Sequence, residues 1–152
     1  MLNSLYFVSQ DEGWSVGRDG LIFHITGASG TPTFTPQSSG TTMTLKSIQM
    51  LNNTTGWIVG HNGTILKTTD GGANWVPLRS GTTGMLNGVH FVDDQNGWVV
   101  GDYGLLLVTR DGGSTWMLQS SGTTQNLNAV LQIGPIHVYA VGQNGTILHG
   151  VR

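Results

Sequence analysis

Short apolar runs separated by Gly, Asn, Asp and Thr recur from one end of the chain to the other. In NGVHFVD (87–93), Val89 and Phe91 fall on one face with a period of two, which predicts a half-buried strand. GWVVG (97–101) follows, with counterparts GWSVG (13–17), GWIVG (56–60) and VYAVG (138–142). Its nearly unbroken apolar content predicts a strand covered on both faces. GRDG, GHNG, GDYG and GQNG then mark tight hairpin turns, because Asp-Gly and Asn-Gly supply the two positive φ values such turns need. LIFHI, TILKT, LLLVT and TILHG read as third strands, and WVPLRS (75–80) and WMLQS (116–120) as fourth strands. SGTT leads from each unit to the next. No stretch shows apolar residues at three-and-four spacing between caps, so no helix is expected.

These elements repeat. Trp14, Trp57, Trp98 and Tyr139 share one position, at steps of 43, 41 and 41 residues. Leu2, Leu45, Leu86 and Leu127 share another, as do Leu5, Ile48, Val89 and Val130. The longer first step is an insertion of two residues within 27–34. Four antiparallel strands per unit, in tandem, predict an all-β fold, a β-propeller whose neighbouring blades must stack to bury their faces. The expected blades are 2–43, 44–84, 85–125 and 126–152, the last lacking its outer strand. About three and three-quarter blades leave the ring open. Either the sequence is a fragment, or copies close it together, a two-fold pair giving eight blades. The Trp14, Trp57, Trp98 and Tyr139 column is expected to fill the seams.

TTDGGANW (68–75) and TRDGGSTW (109–116) match the Asp-box (BNR) pattern Ser/Thr-x-Asp-x-Gly-x-Thr-Trp. The longer string GWIVGHNGTILKTTDGGANWVPLRSGTT, repeated as GWVVGDYGLLLVTRDGGSTWMLQSSGTT, resembles the blade repeat of the photosystem II stability and assembly factor family. The likeness runs over nearly the whole chain. It implies a propeller that acts by binding protein, in an exported, periplasmic or thylakoid-lumen setting. Blade one departs from the pattern: ITGASGTPTF (25–34) has lost the Asp, and Phe34 stands where Trp75 and Trp116 do.

Within each box a structural role is expected. Asp70 and Asp111 can accept backbone N–H bonds and lock the corner. Gly72 and Gly113 permit positive φ. Thr68 and Thr109 open the motif, and Trp75 and Trp116 plug it with their indole N–H groups satisfied. One carboxylate per box is too few for a cation, so neither a metal nor any other cofactor is expected.

Composition narrows the function. Six Lys+Arg and a net charge of −2 give no stripe for tracking phosphates, so no nucleic acid is expected. No run approaches the ~18 apolar residues of a membrane span, and no basic-then-apolar leader is present, so no membrane insertion is expected. The chain has no Cys, which removes thiolate chemistry. A sialidase-like glycosidase would need an arginine cluster, a Tyr nucleophile and a Glu partner, or more generally two facing carboxylates. Arg18, Arg79, Arg110 and Arg152 fall at different repeat positions, and Glu12 is the single Glu. Asp93 and Asp94 read as a turn cap, and the five His as blade-face or core residues. We expect no enzyme and no catalytic residue.

A binding surface can be written where repeat positions vary over a fixed framework. Arg18, Asp19, His61, Asn62, Asp102, Tyr103, Gln143 and Asn144 occupy the second-to-third turns, on one disc face with the SGTT loops. First-strand residues Tyr6, Gln49, His90 and Leu131 are expected along the central channel. Two function classes follow. One is a protein-binding scaffold that also self-associates; the other is a glycan-binding or structural surface module, exported or viral.

Overall fold

The structure is a computed structural model that describes residues 1–151. Four antiparallel sheets follow one another. The first holds β1 (Leu2–Phe7), β2 (Glu12–Gly17), β3 (Ile22–Thr26) and β4 (Thr33–Gln37). The second holds β5 (Leu45–Met50), β6 (Gly56–Gly60), β7 (Ile65–Thr68) and β8 (Val76–Leu78). β9 (Leu86–Phe91), β10 (Gly97–Gly101), β11 (Leu106–Thr109) and β12 (Met117–Leu118) form the third. The fourth has three strands, β13 (Leu127–Ile133), β14 (His137–Gly142) and β15 (Ile147–Val151). Strand order within every sheet is sequential, so each is a meander and a propeller blade. The described residues form four neighbouring blades, the fourth with three strands. No helix among the described residues is long and apolar enough to cross a membrane.

The hairpin chemistry is as the sequence predicts. Asp19, Asn62, Tyr103 and Asn144 have φ of 54–57°, and the glycine after each is also at positive φ. These are mirror-image turns whose twist suits the flanking strands. The glycine has a second duty: a Cβ on Gly20, Gly63 or Gly104 would sit 1.9 Å from the carbonyl oxygen of Thr41, Thr82 or Thr123. Turn and SGTT loop therefore touch backbone to backbone. Each loop is held by its own hydroxyls, Thr82 N–H donating to Ser80 Oγ and Gly84 N–H to Thr82 Oγ1.

The core lies in the seams between blades, because a four-stranded sheet cannot cover its own two faces. Trp14, Val16 and Ile22 of blade one pack on Leu45, Ile48, Met50 and Ile58 of blade two. Trp57, Val59 and Ile65 meet Leu86, Val89, Phe91 and Val99. Trp98, Val100 and Val108 meet Leu127, Val130, Val138 and Ala140. The central strands of the first three blades are buried on both faces. In blade four β14 alternates buried and exposed, because its outward face has no neighbour.

A bulge at the same point in each first strand, at Asn3, Lys46, Asn87 and Asn128, adds a second tie between blades. Bulges re-aim a side chain. Asn3 Nδ2 donates to the Leu45 carbonyl at 2.8 Å, and Asn87 Nδ2 to the Leu127 carbonyl at 3.0 Å.

Candidate functional site

The Asp-box corners are built from the third strand outward. In blade three, Thr109 Oγ1 donates to Asp111 Oδ1 and accepts the Gly113 N–H. Asp111 then accepts the Thr115 N–H at 2.8 Å and the Thr115 hydroxyl at 2.6 Å. Blade two repeats this with Thr68, Asp70, Gly72 and Asn74. Gly72 sits at φ 87° and Gly113 at φ 92°, and a Cβ on Gly72 would collide with the Gln37 side chain. The Thr115 hydroxyl, with help from its N–H and from Thr109, lowers the Asp111 carboxyl to about 2. The Asn74 amide, then its N–H, then Thr68 lower Asp70 in the same direction. All donors are spent on local backbone and neighbours, which makes the corner a lock.

The sign of the pH effect follows. A depressed carboxyl adds stability that is complete above its ordinary value of 3.8 and is lost as pH falls toward about 2. Asp111→Asn is therefore expected to lower Tm at pH 7 and to remove part of the wild-type decline in Tm between pH 4 and pH 2, read by thermal scans across that range.

The corner also receives the neighbouring blade. Trp14 Nε1 donates to the Gly71 carbonyl and Trp57 Nε1 to the Gly112 carbonyl, each at 3.2 Å. Among the described residues blade four shows no such corner, and Gln132 Oε1 accepts from Trp98 Nε1 at 2.9 Å. Trp75 packs between blades one and two with its Nε1 on Gln37 Oε1. Trp116 departs from the expectation that both plugs are satisfied: its buried Nε1 has no partner. The cause is one residue. Leu78 stands where Gln37 stands in the preceding blade, against the Gly113 corner, and offers no oxygen.

Blade one's degenerate corner is rescued from elsewhere. Asp11, in the β1–β2 loop, accepts the Ser29 N–H at 3.1 Å and its hydroxyl at 2.7 Å. Those bonds lower the Asp11 carboxyl, the hydroxyl first. Nothing in the repeat alignment points to Asp11, because it arrives from a different loop. Asp93 accepts the Gln95 and Asn96 N–H groups, in a turn. Glu12 pairs with His24 at 3.0 Å, and His24 stacks on Trp14. At the same positions in blade four, His137 meets His149 at 3.0 Å, with His149 stacked on Tyr139.

Two of the first-strand positions expected along the channel are tucked into seams instead. Gln49 is buried and spans to blade three, donating to the Phe91 carbonyl and accepting its N–H. His90 is lowered by burial, against an opposing hydrogen bond to the Gln132 backbone, and its Nε2 has no partner. The first strands lie too close together for these side chains to hang free.

The turn face is the remaining surface with variable chemistry. Arg18, Asp19, Asn62, Tyr103, Gln143 and Asn144 are exposed, and His61 and Asp102 half-buried. Asp102 is held by Asn87 Nδ2 at 2.8 Å. Tyr103 N–H donates to Asn126 Oδ1, and Asn144 Nδ2 to Gln125 Oε1, so the turns of blades three and four share one loop. A groove of about 890 Å³ runs beside Tyr103, between Asp102, Leu105 and the Ser121–Thr123 loop. Smaller grooves flank the turns of blades two and one.

A sequence model of the photosynthesis system II assembly factor YCF48 family matches residues 33–117 and 78–151. No curated protein matches the chain. Among solved structures, YCF48 bound to D1 peptide is similar at a TM-score of 0.74 and 18% identity, over 99% of this chain and 53% of that one. YCF48 from Cyanidioschyzon merolae is similar at a TM-score of 0.81 and 18% identity, over 99% and 50%. The computationally designed Ika4 protein is similar at 0.78 and 16%, over 99% and 91%. The chain thus spans about half the length of either YCF48 structure, and at these identities the likeness is one of fold.

Proposed function

The chain belongs to the photosynthesis system II assembly factor YCF48 family, and from that premise we propose a non-enzymatic scaffold whose turn face holds an extended segment of a partner protein. One observation carries this reading. Three of the four turns place Asp or Asn at the left-handed position, residues that tolerate it. The fourth places Tyr103 there, at φ 57°, and leaves its ring 84% exposed beside a groove of about 890 Å³. A bulky side chain in that conformation costs about 1 kcal/mol and gains nothing within the fold. Strain retained at an exposed aromatic is repaid by a partner.

Tyr103→Asn separates the two roles. It is expected to raise Tm by about 2–4 °C and to weaken binding of an extended peptide at least tenfold. The D1 peptide seen with a YCF48 structure is the first probe, by fluorescence anisotropy. Equal affinity in both forms would remove Tyr103 from the site. Reproducible hits on a glycan array, with no peptide bound, would favour a glycan-binding module.

Self-association extends the reading. Blade one turns outward a hollow of about 580 Å³ between Leu2, Leu5, Phe7, Ile25, Pro32 and Phe34. Blade four turns outward Leu131, Ile133, Tyr139, Val141 and Ile147. In repeat position these are the two halves of a seam that is buried between every other pair of blades. Asn128 holds the place of Asn3 and Asn87, and Leu2 that of Leu45 and Leu127, so a second copy would pair Asn128 with the Leu2 carbonyl. The altered parts would also coincide: Tyr139 replaces the seam Trp, and in the pair it would face blade one's corner, which has lost its Asp. A two-fold pair joins both open ends and leaves neither exposed.

A further inference from the structure

The outer strands of blades one, two and three hold equivalent places, with Pro36 opposite Phe23, Pro77 opposite Leu66 and Leu118 opposite Leu107. Gln119 donates its N–H to the Leu106 carbonyl at 2.9 Å. By the alternation of an antiparallel ladder, the N–H and C=O of Leu118 therefore point away from β11, toward the rim. Proline at that place removes the rim-facing donor in blades one and two, which blunts the sheet edge. Blade three keeps the donor. Among the described residues the third sheet ends at β12, and Met117 and Leu118 are exposed there. Two more departures from the repeat meet at the same place. The groove beside Tyr103 is also lined by Leu118 and Asp102, and Asp102 is the one charged residue among those lining it. Arg18, His61 and Gln143 stand at the corresponding turn positions. Asn87 Nδ2 holds Asp102 Oδ1 at 2.8 Å and leaves Oδ2 without a partner among the described residues. The seam does not need that carboxylate, because Asn3 makes the equivalent bond to the Leu45 carbonyl with Arg18 in the turn.

We propose that the rim of blade three docks an extended segment of a partner protein, which pairs with the edge at Leu118 and sets an Arg side chain between Asp102 and Tyr103. The inference rests on the protein-binding reading and adds to it the pairing strand and the charge of the segment. β12 has two residues, so main-chain pairing at Leu118 supplies two hydrogen bonds and not a long ladder. Side chains must supply the rest. An apolar residue of the segment covers Leu118. Two positions on, on the same face of the extended chain, a guanidinium reaches both the carboxylate and the exposed phenol ring. No Lys or Arg lines the groove to compete for Asp102, and an acidic segment would be repelled.

The probe is a synthetic fluorescein-labelled peptide, GSTVTRTVTSG, which when extended carries Val, Arg and Val on one face; it is titrated with the full chain and read by anisotropy. Saturable binding is expected. Replacing the peptide Arg by Gln is expected to weaken it roughly tenfold, and Asp102→Asn in the protein to remove that preference. Leu118→Pro deletes the rim-facing N–H at a place where blades one and two already carry Pro, so the fold tolerates it. It is expected to weaken binding about fivefold, whereas Leu118→Val, which keeps the N–H, should bind within about twofold of wild type. No saturable binding, equal binding of the Arg and Gln peptides, or equal affinity of Leu118→Pro and wild type overturns the proposal. Binding that falls as protein concentration rises would place a second copy in the groove and overturns it too. If the probe fails while Tyr103→Asn still loses the D1 peptide, this inference is overturned and the turn-face reading stands.

Discussion

For the proposed two-fold pair, Leu5→Arg and Ile147→Arg are each expected to turn a dimer of twice 16.2 kDa into a monomer, measured by light scattering at micromolar concentration. Leu5 is 59% exposed and Ile147 73% exposed on opposite ends of the open ring, so neither substitution disturbs a packed interior. In the pair, each side chain would enter a seam like those that are buried elsewhere in the molecule. A guanidinium placed there without a partner costs about 2–3 kcal/mol at each seam, and a two-fold ring contains two. The dissociation constant should rise roughly a thousand-fold or more. Mixing the two variants supplies a further test, because a mixed pair restores one unsubstituted seam and should partly recover the dimer mass. A wild-type chain that scatters as a monomer at all concentrations would refute ring closure by a second copy.

Trp57→Ala is expected to cost about 3–5 kcal/mol and to lower Tm by roughly 10–15 °C, measured by thermal and urea unfolding. Trp57 is fully buried and makes three separate contacts, two of them to the next blade. Its ring stacks on Phe91 at 3.6 Å, its Nε1 donates to the Gly112 carbonyl, and Lys67 lies over its other surface at 5.2 Å. Burial of about 200 Å² of aromatic surface supplies about 5 kcal/mol as an upper bound. Against a typical total of about 5–15 kcal/mol, that loss brings the chain close to its limit. Trp116→Phe provides the contrast. It removes a buried N–H that has no partner, so the lost ring area is offset and stability should change by less than about 1 kcal/mol. Equal losses for the two variants would contradict the hydrogen-bond assignment at the corners.

Much of the architecture was written locally. The turn chemistry at Asp19-Gly20, Asn62-Gly63 and Asn144-Gly145, the double-faced burial of GWIVG and GWVVG, and the repeated Thr-x-Asp-Gly-Gly corners are read from adjacent residues. Adjacent residues set φ, strand period and capping directly. Even the turn at Tyr103 could be placed from its neighbours, although its strain could not be felt until the φ value was known.

What the tertiary structure decided concerns residues far apart in the chain. Asp11 repairs a corner formed by Ser29, Gln132 accepts the Trp98 indole N–H, and Gln49 leaves the channel to bridge to Phe91. Leu78 leaves Trp116 unsatisfied while Gln37 serves Trp75. Repeat alignment compares each residue with its own copies, whereas these contacts join non-equivalent residues across a seam. The sequence by itself therefore determined the blade and its corners, because these depend on short-range backbone preference and period-two burial. Only the folded chain decided how the seams are satisfied and which faces remain open, because those depend on which blade stands next to which.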